Sequence, residues 1–189
     1  MKRILAASLA LALIGTLPGC AAVVAGGAAA AVVATDRRSS AVQLEDNNIE
    51  FKGSARLKEQ MQNRATIDVI SFNQKVLLVG YVQEESGKGD AERVMRAVPG
   101  VRQIYNELLV GNAGSSQQYV EDSYLTTKVK TRLVEKAQSL NPNHIKVTTE
   151  AGTVFLMGLV RPAEADIAVD VASTTSGVKK VVKLFEYID

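Results

Sequence analysis

Apolar and polar positions follow the same order in two stretches of the chain. "IDVISFNQKVLLVGYV" (residues 67–82) aligns without a gap with "IKVTTEAGTVFLMGLV" (residues 145–160). Upstream, "DNNIEFKGSARL" aligns with "DSYLTTKVKTRL", which pairs Asp46 with Asp122. Downstream, "VPGVRQIYNELLV" aligns with "TSGVKKVVKLFEY" once one residue is skipped. A repeat of this length predicts two copies of one structural module.

Each copy has the pattern helix, strand, strand, helix, strand. In the second copy, Leu125, Val129 and Leu133 form a helical apolar stripe, with Asp122 or Ser123 as the N-cap. Two extended runs follow, separated by Asn-Gln in one copy and Ala-Gly in the other, and we expect a hairpin. The remaining expected boundaries are second helices beginning near Asp90 and Pro162, helix stops at Gly100 and Gly177, and last strands beginning at Val101 and Val178.

This order of elements fixes the topology of each module. The hairpin makes the first two strands antiparallel, and a right-handed crossover places the third strand parallel to the second. The predicted fold class is therefore α+β, with two tandem modules that each have a three-stranded mixed sheet covered by two helices.

The chain begins with a different pattern. Lys2 and Arg3 precede an apolar run of about 14 residues, "ILAASLALALIGTL", which ends at Pro18, Gly19 and Cys20. This layout is typical of a secretory signal, and the run is shorter than the roughly 20 residues that a membrane span needs. An uncleaved signal anchor that continues to Ala34 is the alternative, although Pro18 and three glycines would interrupt its helix.

The sequence "LPGC" resembles the lipobox of bacterial lipoproteins. The resemblance implies cleavage before Cys20, acylation of its thiol and of the new amine, and attachment to the outer membrane on the periplasmic side, because Ala21 rather than Asp follows the cysteine. Two or three acyl chains give durable anchoring, whereas one gives only marginal binding. A single cysteine also cannot form an internal disulfide.

The repeated modules resemble the BON domain, through the Gly after an apolar strand ("LLVGYV", "FLMGLV") and the later "PGV" or "SGV". Together with the lipobox, "TDRRS", "IYNELL" and "TTKVKTRL", they resemble the dual-BON outer-membrane lipoproteins. The domain boundaries expected on this basis are a signal peptide at 1–19, a lipidated Ala/Gly-rich tether at 20–40, BON domains at 41–112 and 120–189, and a linker at 113–119.

Charge and reactive residues narrow the function. The formal charge is +2, and removal of the residues before Cys20 leaves 20 basic and 20 acidic residues, which does not favour nucleic-acid binding. His144 is the only histidine, so neither a metal site nor a Cys–His pair is expected. "SGKGD" (residues 86–90) lacks the spacing of a phosphate-binding loop and is expected to join a strand to a helix. We therefore predict a non-enzymatic protein without a cofactor.

One stripe on the first helix of the second copy suggests a lipid contact. Tyr124, Lys128, Arg132 and Lys136 lie at four-residue intervals, and the first copy has Asn48, Lys52, Arg56 and Gln60 at the equivalent positions. Tyrosine favours the bilayer interface and Lys or Arg attract anionic lipid. An ordinary solvated helix face is the alternative. The family resemblance implies binding of anionic phospholipid through this helix.

The resemblance further implies a role in envelope integrity, concentration at the division site and support of β-barrel assembly. The competing hypothesis is a protein adaptor for the β-barrel assembly machinery or for activation of peptidoglycan amidases, with lipid contact incidental. Tyr105 in "IYNELL" has no aromatic counterpart in the second copy; local packing on its strand is the simpler interpretation, and an interdomain or partner contact is the alternative.

Overall fold

The computed structural model describes residues 36–189. The predicted signal peptide, Cys20 and most of the predicted tether lie outside the described residues. Arg37–Asp189 form one compact unit, which contains both modules.

The first module, domain 1, has the predicted order of elements. They are α1 (Ser40–Met61), β1 (Ala65–Phe72), β2 (Lys75–Val82), α2 (Ser86–Arg96), β3 (Gln103–Asn106) and β4 (Leu109–Val110). β1 pairs antiparallel with β2, and β3 and β4 both pair parallel with β2, so they are two pieces of the third strand. The third strand is interrupted at Glu107 and Leu108, and the side chain of Leu108 packs in the core of domain 1, where the residue is 3% exposed.

The second module, domain 2, repeats this topology with an uninterrupted third strand. Its elements are α3 (Ser116–Glu135), β5 (Ile145–Glu150), β6 (Thr153–Val160), α4 (Pro162–Ser173) and β7 (Lys180–Tyr187). β5 and β6 are antiparallel, and β7 is parallel to β6. The predicted fold class is confirmed.

The two hairpin turns are held by the aspartates that the repeat aligns. Both central residues of each turn have positive φ, the geometry of a type I′ turn (Asn73 53°, Gln74 64°, Ala151 52°, Gly152 78°). Asp46 accepts the amides of Asn73 and Gln74 at 2.8 and 2.7 Å. Asp122 accepts those of Ala151 and Gly152 at 2.9 and 2.8 Å. Each first helix is thereby fixed to the turn of its own hairpin.

Two helices begin earlier than predicted. α3 begins at Ser116, with Ser115 as its N-cap, and not after Asp122 or Ser123, because Asp122 is used by the hairpin turn. Ser116–Gln118, expected in the linker, form the first turn of α3.

α2 begins at Ser86 rather than near Asp90, so "SGKGD" forms the first turn of the helix instead of a connecting loop. The absence of a side chain at Gly87 permits this, since a Cβ there would lie 2.9 Å from Cβ of Val82. The start of α4 at Pro162 is confirmed, and the last strands begin at Gln103 and Lys180, two residues later than expected.

Each domain has its own apolar core between its helices and one face of its sheet. A third cluster contains residues of both sheets: Ile70, Phe72, Leu77, Val79, Phe155, Met157 and Leu184. The domains therefore pack through their sheets. Tyr105 packs against this third cluster, which contains both its strand neighbour Leu77 and residues of domain 2, so it lies at the contact between the sheets as well as packing locally.

Polar contacts also join the domains. Arg37 forms a bidentate pair with Glu164 at 2.7 and 2.8 Å, which lowers the pKa of the glutamate, and donates to the carbonyl of Leu159. Arg38 binds Asp46 at 2.8 Å and lies 3.9 Å from the ring centroid of Phe72. Arg37 therefore binds the start of the compact unit to domain 2, and Arg38 binds it to domain 1.

The aspartate contacts predict a specific loss of stability. Asp122→Ala leaves two amides of the turn at Ala151 and Gly152 without their acceptor, and we expect the free energy of unfolding to fall by about 2–4 kcal/mol. Chemical denaturation measures this change. The control is Glu121→Ala, at an exposed neighbouring position; equal losses in the two variants would contradict the assigned role of Asp122.

Candidate membrane-contact surface

α3 has one buried side and one exposed side. Leu125, Val129 and Leu133 are 8%, 0% and 1% exposed, which confirms the predicted core stripe. The opposite side, here called the outer face of α3, comprises Val120, Tyr124, Thr127, Lys128, Thr131 and Val134. Val120 and Tyr124 are each 64% exposed and Val134 is 59% exposed.

The threonines of this outer face have hydroxyl groups that are already bonded. Thr127 donates to the carbonyl of Ser123, and Thr131 donates to that of Thr127, each at 3.0 Å. Because the hydroxyls bond within the helix, the cost of taking these side chains out of water is reduced. The outer face is therefore more apolar than its sequence suggests.

Cations border the apolar side chains. Nζ of Lys128 lies 5.8 Å from the ring centroid of Tyr124 and donates to the carbonyl of Ser176 at 3.0 Å. Lys130 is exposed one turn from Thr127. The outer face thus combines an aromatic ring, branched side chains and ammonium groups.

Arg132 has a different position from the other members of the predicted stripe. Its guanidinium donates to the carbonyl of Val171 at 2.8 Å and to the hydroxyls of Thr175 and Thr174 at 2.6 and 3.1 Å. These groups lie at the C-terminal end of α4, where a cation is favourable. In domain 1 the equivalent Arg56 donates to the carbonyl of Ala97 after α2. Arg132 therefore has a packing contact that both repeats share.

The geometry of the helix explains this outcome. Four residues turn an α-helix through about 400°, so a stripe at four-residue spacing moves about 40° at each step. Tyr124 is directed outward, and Lys128 is half-buried and reaches the carbonyl of Ser176 after α4. Arg132 is directed towards α4, and Lys136 is the exposed C-cap residue after α3. The sequence analysis missed Val120, Thr127, Thr131 and Val134, which a mixed three- and four-residue spacing from Tyr124 would have found.

A second feature is a cleft of about 410 Å³ between domain 1 and the start of domain 2. Asp68, Asp122 and Glu150 line it. Burial raises the pKa of Glu150 to about 7, with further increases from the negative charges of Asp122 and Asp68. Gln118 donates to the hydroxyl of Tyr81 at 2.6 Å at one side of the cleft.

The described residues do not assemble a metal site. Among residues 36–189, no group of three His, Cys, Asp or Glu side chains is placed to hold a metal ion. His144 is buried immediately before β5, and its Nδ1 lies 4.0 Å from Oε1 of Glu164. Over the same residues, every helix is too short or too polar to cross a bilayer.

The hydrogen bonds of Arg132 predict that its replacement lowers stability more than replacement of the nearby Lys130. Arg132→Ala removes three hydrogen bonds to the end of α4, and we expect the free energy of unfolding to fall by about 1–3 kcal/mol. Lys130→Ala, at an exposed position, should change it by less than about 0.5 kcal/mol. Thermal and urea denaturation distinguish the two; equal stability of the variants would show that Arg132 has no packing role.

The raised pKa of Glu150 predicts that the free energy of unfolding depends on pH. Its pKa rises from 4.5 to about 7 on folding, so the folded chain binds a proton more tightly and the free energy of unfolding falls as pH rises between these values. Glu150→Gln mimics the protonated form. We expect it to stabilise the chain by about 1–2 kcal/mol at pH 8, a gain reduced by solvent screening, and to have little effect at pH 4. Equal gains at both pH values would contradict this assignment.

Known proteins share both modules of this chain. The BON domain family model matches residues 45–112 and 121–189. The outer membrane lipoprotein DolP of Haemophilus influenzae is 41% identical over 92% of this chain and 91% of its own length. The 21 kDa hemolysin of Actinobacillus pleuropneumoniae is 36% identical over 81% of this chain and 79% of its own length. The osmotically-inducible protein Y of Escherichia coli is 32% identical over 73% and 70%.

The expected resemblance to dual-BON outer-membrane lipoproteins is therefore confirmed, with the duplicated topology and the paired aspartate contacts as its structural counterpart. This chain belongs to the BON-domain family.

Proposed function

We propose that this chain is an outer-membrane lipoprotein, anchored through acylated Cys20, whose second BON domain binds anionic phospholipid through the outer face of α3. The observation that carries the proposal is the composition of this face. Val120, Tyr124 and Val134 are each more than half exposed, and Lys128 and Lys130 lie beside them.

The energetics favour a weak, composition-dependent contact. Each Lys near an anionic surface contributes about 1 kcal/mol, and a tyrosine ring favours the headgroup layer. The acyl chains on Cys20 would keep domain 2 at a high effective concentration near the bilayer. Tyr124, Lys128 and Lys130 then contact lipid, while Arg132 holds α3 against α4 and Lys136, beyond the end of α3, lies outside the outer face.

Similarity to the outer membrane lipoprotein DolP supports the proposed location at the outer membrane, and we place the chain on its periplasmic side as part of the proposal. We include in the proposal a role in outer-membrane integrity, with enrichment at the division site. A non-enzymatic mechanism suits a protein whose function is to recognise a surface.

A second candidate is a protein adaptor for β-barrel assembly or for amidase activation. The exposed Phe51 favours this candidate, because at 77% exposure it is an unusually accessible aromatic side chain on the first helix of domain 1. The two functions are compatible, since they use helices of different domains.

Charge reversal on the outer face tests the lipid proposal. Lys128→Glu with Lys130→Glu, in the unacylated chain from Ala21 to Asp189, should weaken binding to phosphatidylglycerol vesicles by at least about 2 kcal/mol, or about thirtyfold. Vesicle co-sedimentation at low salt measures the affinity. Arg132 is left unchanged to keep its packing against α4. Because Lys128 itself donates to the carbonyl of Ser176 after α4, thermal denaturation of the double variant separates loss of packing from loss of binding.

The repeat supplies a matched control with the same change in net charge. Lys52→Glu with Lys58→Glu alters exposed positions of α1 in domain 1. We expect this variant to retain most of the affinity, reduced only by long-range repulsion. Equal loss in both double variants would refute a specific lipid contact at α3.

A further inference from the structure

We infer that the exposed edge of β1, together with the groove beside α1, binds an extended peptide segment of a partner protein by strand addition. The site is independent of the outer face of α3. It lies in domain 1, and its chemistry is that of backbone amides next to an apolar groove.

The first observation is the groove itself. It is shallow, with a volume of about 540 Å³, and its lining includes Phe51, Ala55 and Lys58 of α1 and Val69 of β1. Phe51 is 77% exposed, the largest value among the exposed large apolar side chains of residues 36–189. A ring at the border of a groove can cover an apolar side chain of a ligand.

The second observation is the free hydrogen-bonding edge of β1. Within the described sheet, β1 pairs only with β2. Phe72 and Lys75 flank the two-residue turn and form a hydrogen-bonded pair, so the backbone groups of Ser71 point away from β2. By the same alternation, those of Val69 and Ile67 point outward. Val69 is 8% exposed and Ile67 is half-buried, so the edge is accessible mainly at Ile67.

The third observation is how this edge is covered at one end. The amide of Ser71 donates to Oε1 of Glu50 at 2.7 Å, and its carbonyl accepts from Nζ of Lys146 in domain 2 at 3.2 Å. Lys146 also pairs with Glu50. In residues 36–189 no comparable contact reaches the outward amides of Ile67 and Val69. The open edge is thus a continuation of the interface between the domains.

These features specify an extended ligand. Outward amides and carbonyls at alternate residues match the backbone of an added strand, and pockets beside the edge select alternate side chains. Phe51 and Val69 favour an apolar residue. Glu50 also lines the groove but is paired with Lys146, so Lys58 is the charge that favours an acidic residue at the other end. In the second repeat, Thr127 and Thr131 replace Phe51 and Ala55, so the equivalent helix face of domain 2 has no aromatic side chain at this position.

The test uses the mature chain from Cys20 to Asp189, acylated or not, in neutral detergent micelles. The probe is a fluorescein-labelled nine-residue peptide of alternating Val and Thr, with Asp at both ends. A second probe carries N-methyl groups on the amides of one edge, which removes strand addition but keeps the side chains. Fluorescence anisotropy measures affinity, and a photoreactive residue in the probe identifies the contact.

We expect the first probe to bind and to crosslink to residues 51–69, and the N-methylated probe to bind at least about tenfold more weakly. Phe51→Thr, which introduces the residue of the second repeat, should weaken binding about tenfold, whereas Tyr187→Ser, at another exposed aromatic, should not. Lys58→Glu should weaken binding, and replacement of Asp by Lys in the probe should restore it.

Several results would overturn the inference. These are no binding of the first probe, equal affinity of the N-methylated probe, equal loss in the Phe51 and Tyr187 variants, or occupation of the edge by a second copy of the chain, detected as a dimer that excludes the probe. None of these outcomes depends on lipid binding by α3, so the inference and the proposed function can fail separately.

Discussion

The packing of the two sheets against each other determines which surfaces the protein can use. Each sheet is covered by helices on one face, and the apolar cluster formed by both sheets covers the other. Apolar burial contributes about 25 cal/mol per Å², so this cluster links the domains together with the ion pairs of Arg37 and Lys146. Binding surfaces are therefore left to the outer sides of helices, the sheet edges and the interdomain cleft.

Comparison of equivalent positions in the two repeats distinguishes residues with a shared structural role from residues that differ between the domains. Asp46 and Asp122 hold equivalent turns, and Arg56 and Arg132 bind the ends of equivalent helices. The outer helix faces are not equivalent: α3 has a tyrosine where α1 has an asparagine, and α1 has an exposed phenylalanine where α3 has a threonine. Divergence of this kind is consistent with different partners for the two domains.

The repeat predicted the elements and topology, because apolar periodicity and turn chemistry are local properties. The starts of α2 and α3 were predicted late, since Gly87 and Ser115 act through contacts that periodicity does not record. Packing between the domains depends on surfaces distant in sequence, so the interdomain contact of Tyr105 could not be read from its strand. Similarly, Tyr124 was identified as exposed, but the rotation of Arg132 towards α4 became visible only from the partner helix.

The central claim is that this fixed two-domain body presents the outer face of α3 to an anionic bilayer. The most direct measurement is spin-label accessibility by electron paramagnetic resonance at successive positions of α3, in the acylated chain reconstituted into phosphatidylglycerol-containing bilayers. The account predicts oxygen accessibility with a period near 3.6 residues and maxima at 120, 124, 127 and 131. Uniform aqueous accessibility along α3, or maxima on α1 instead, would contradict it.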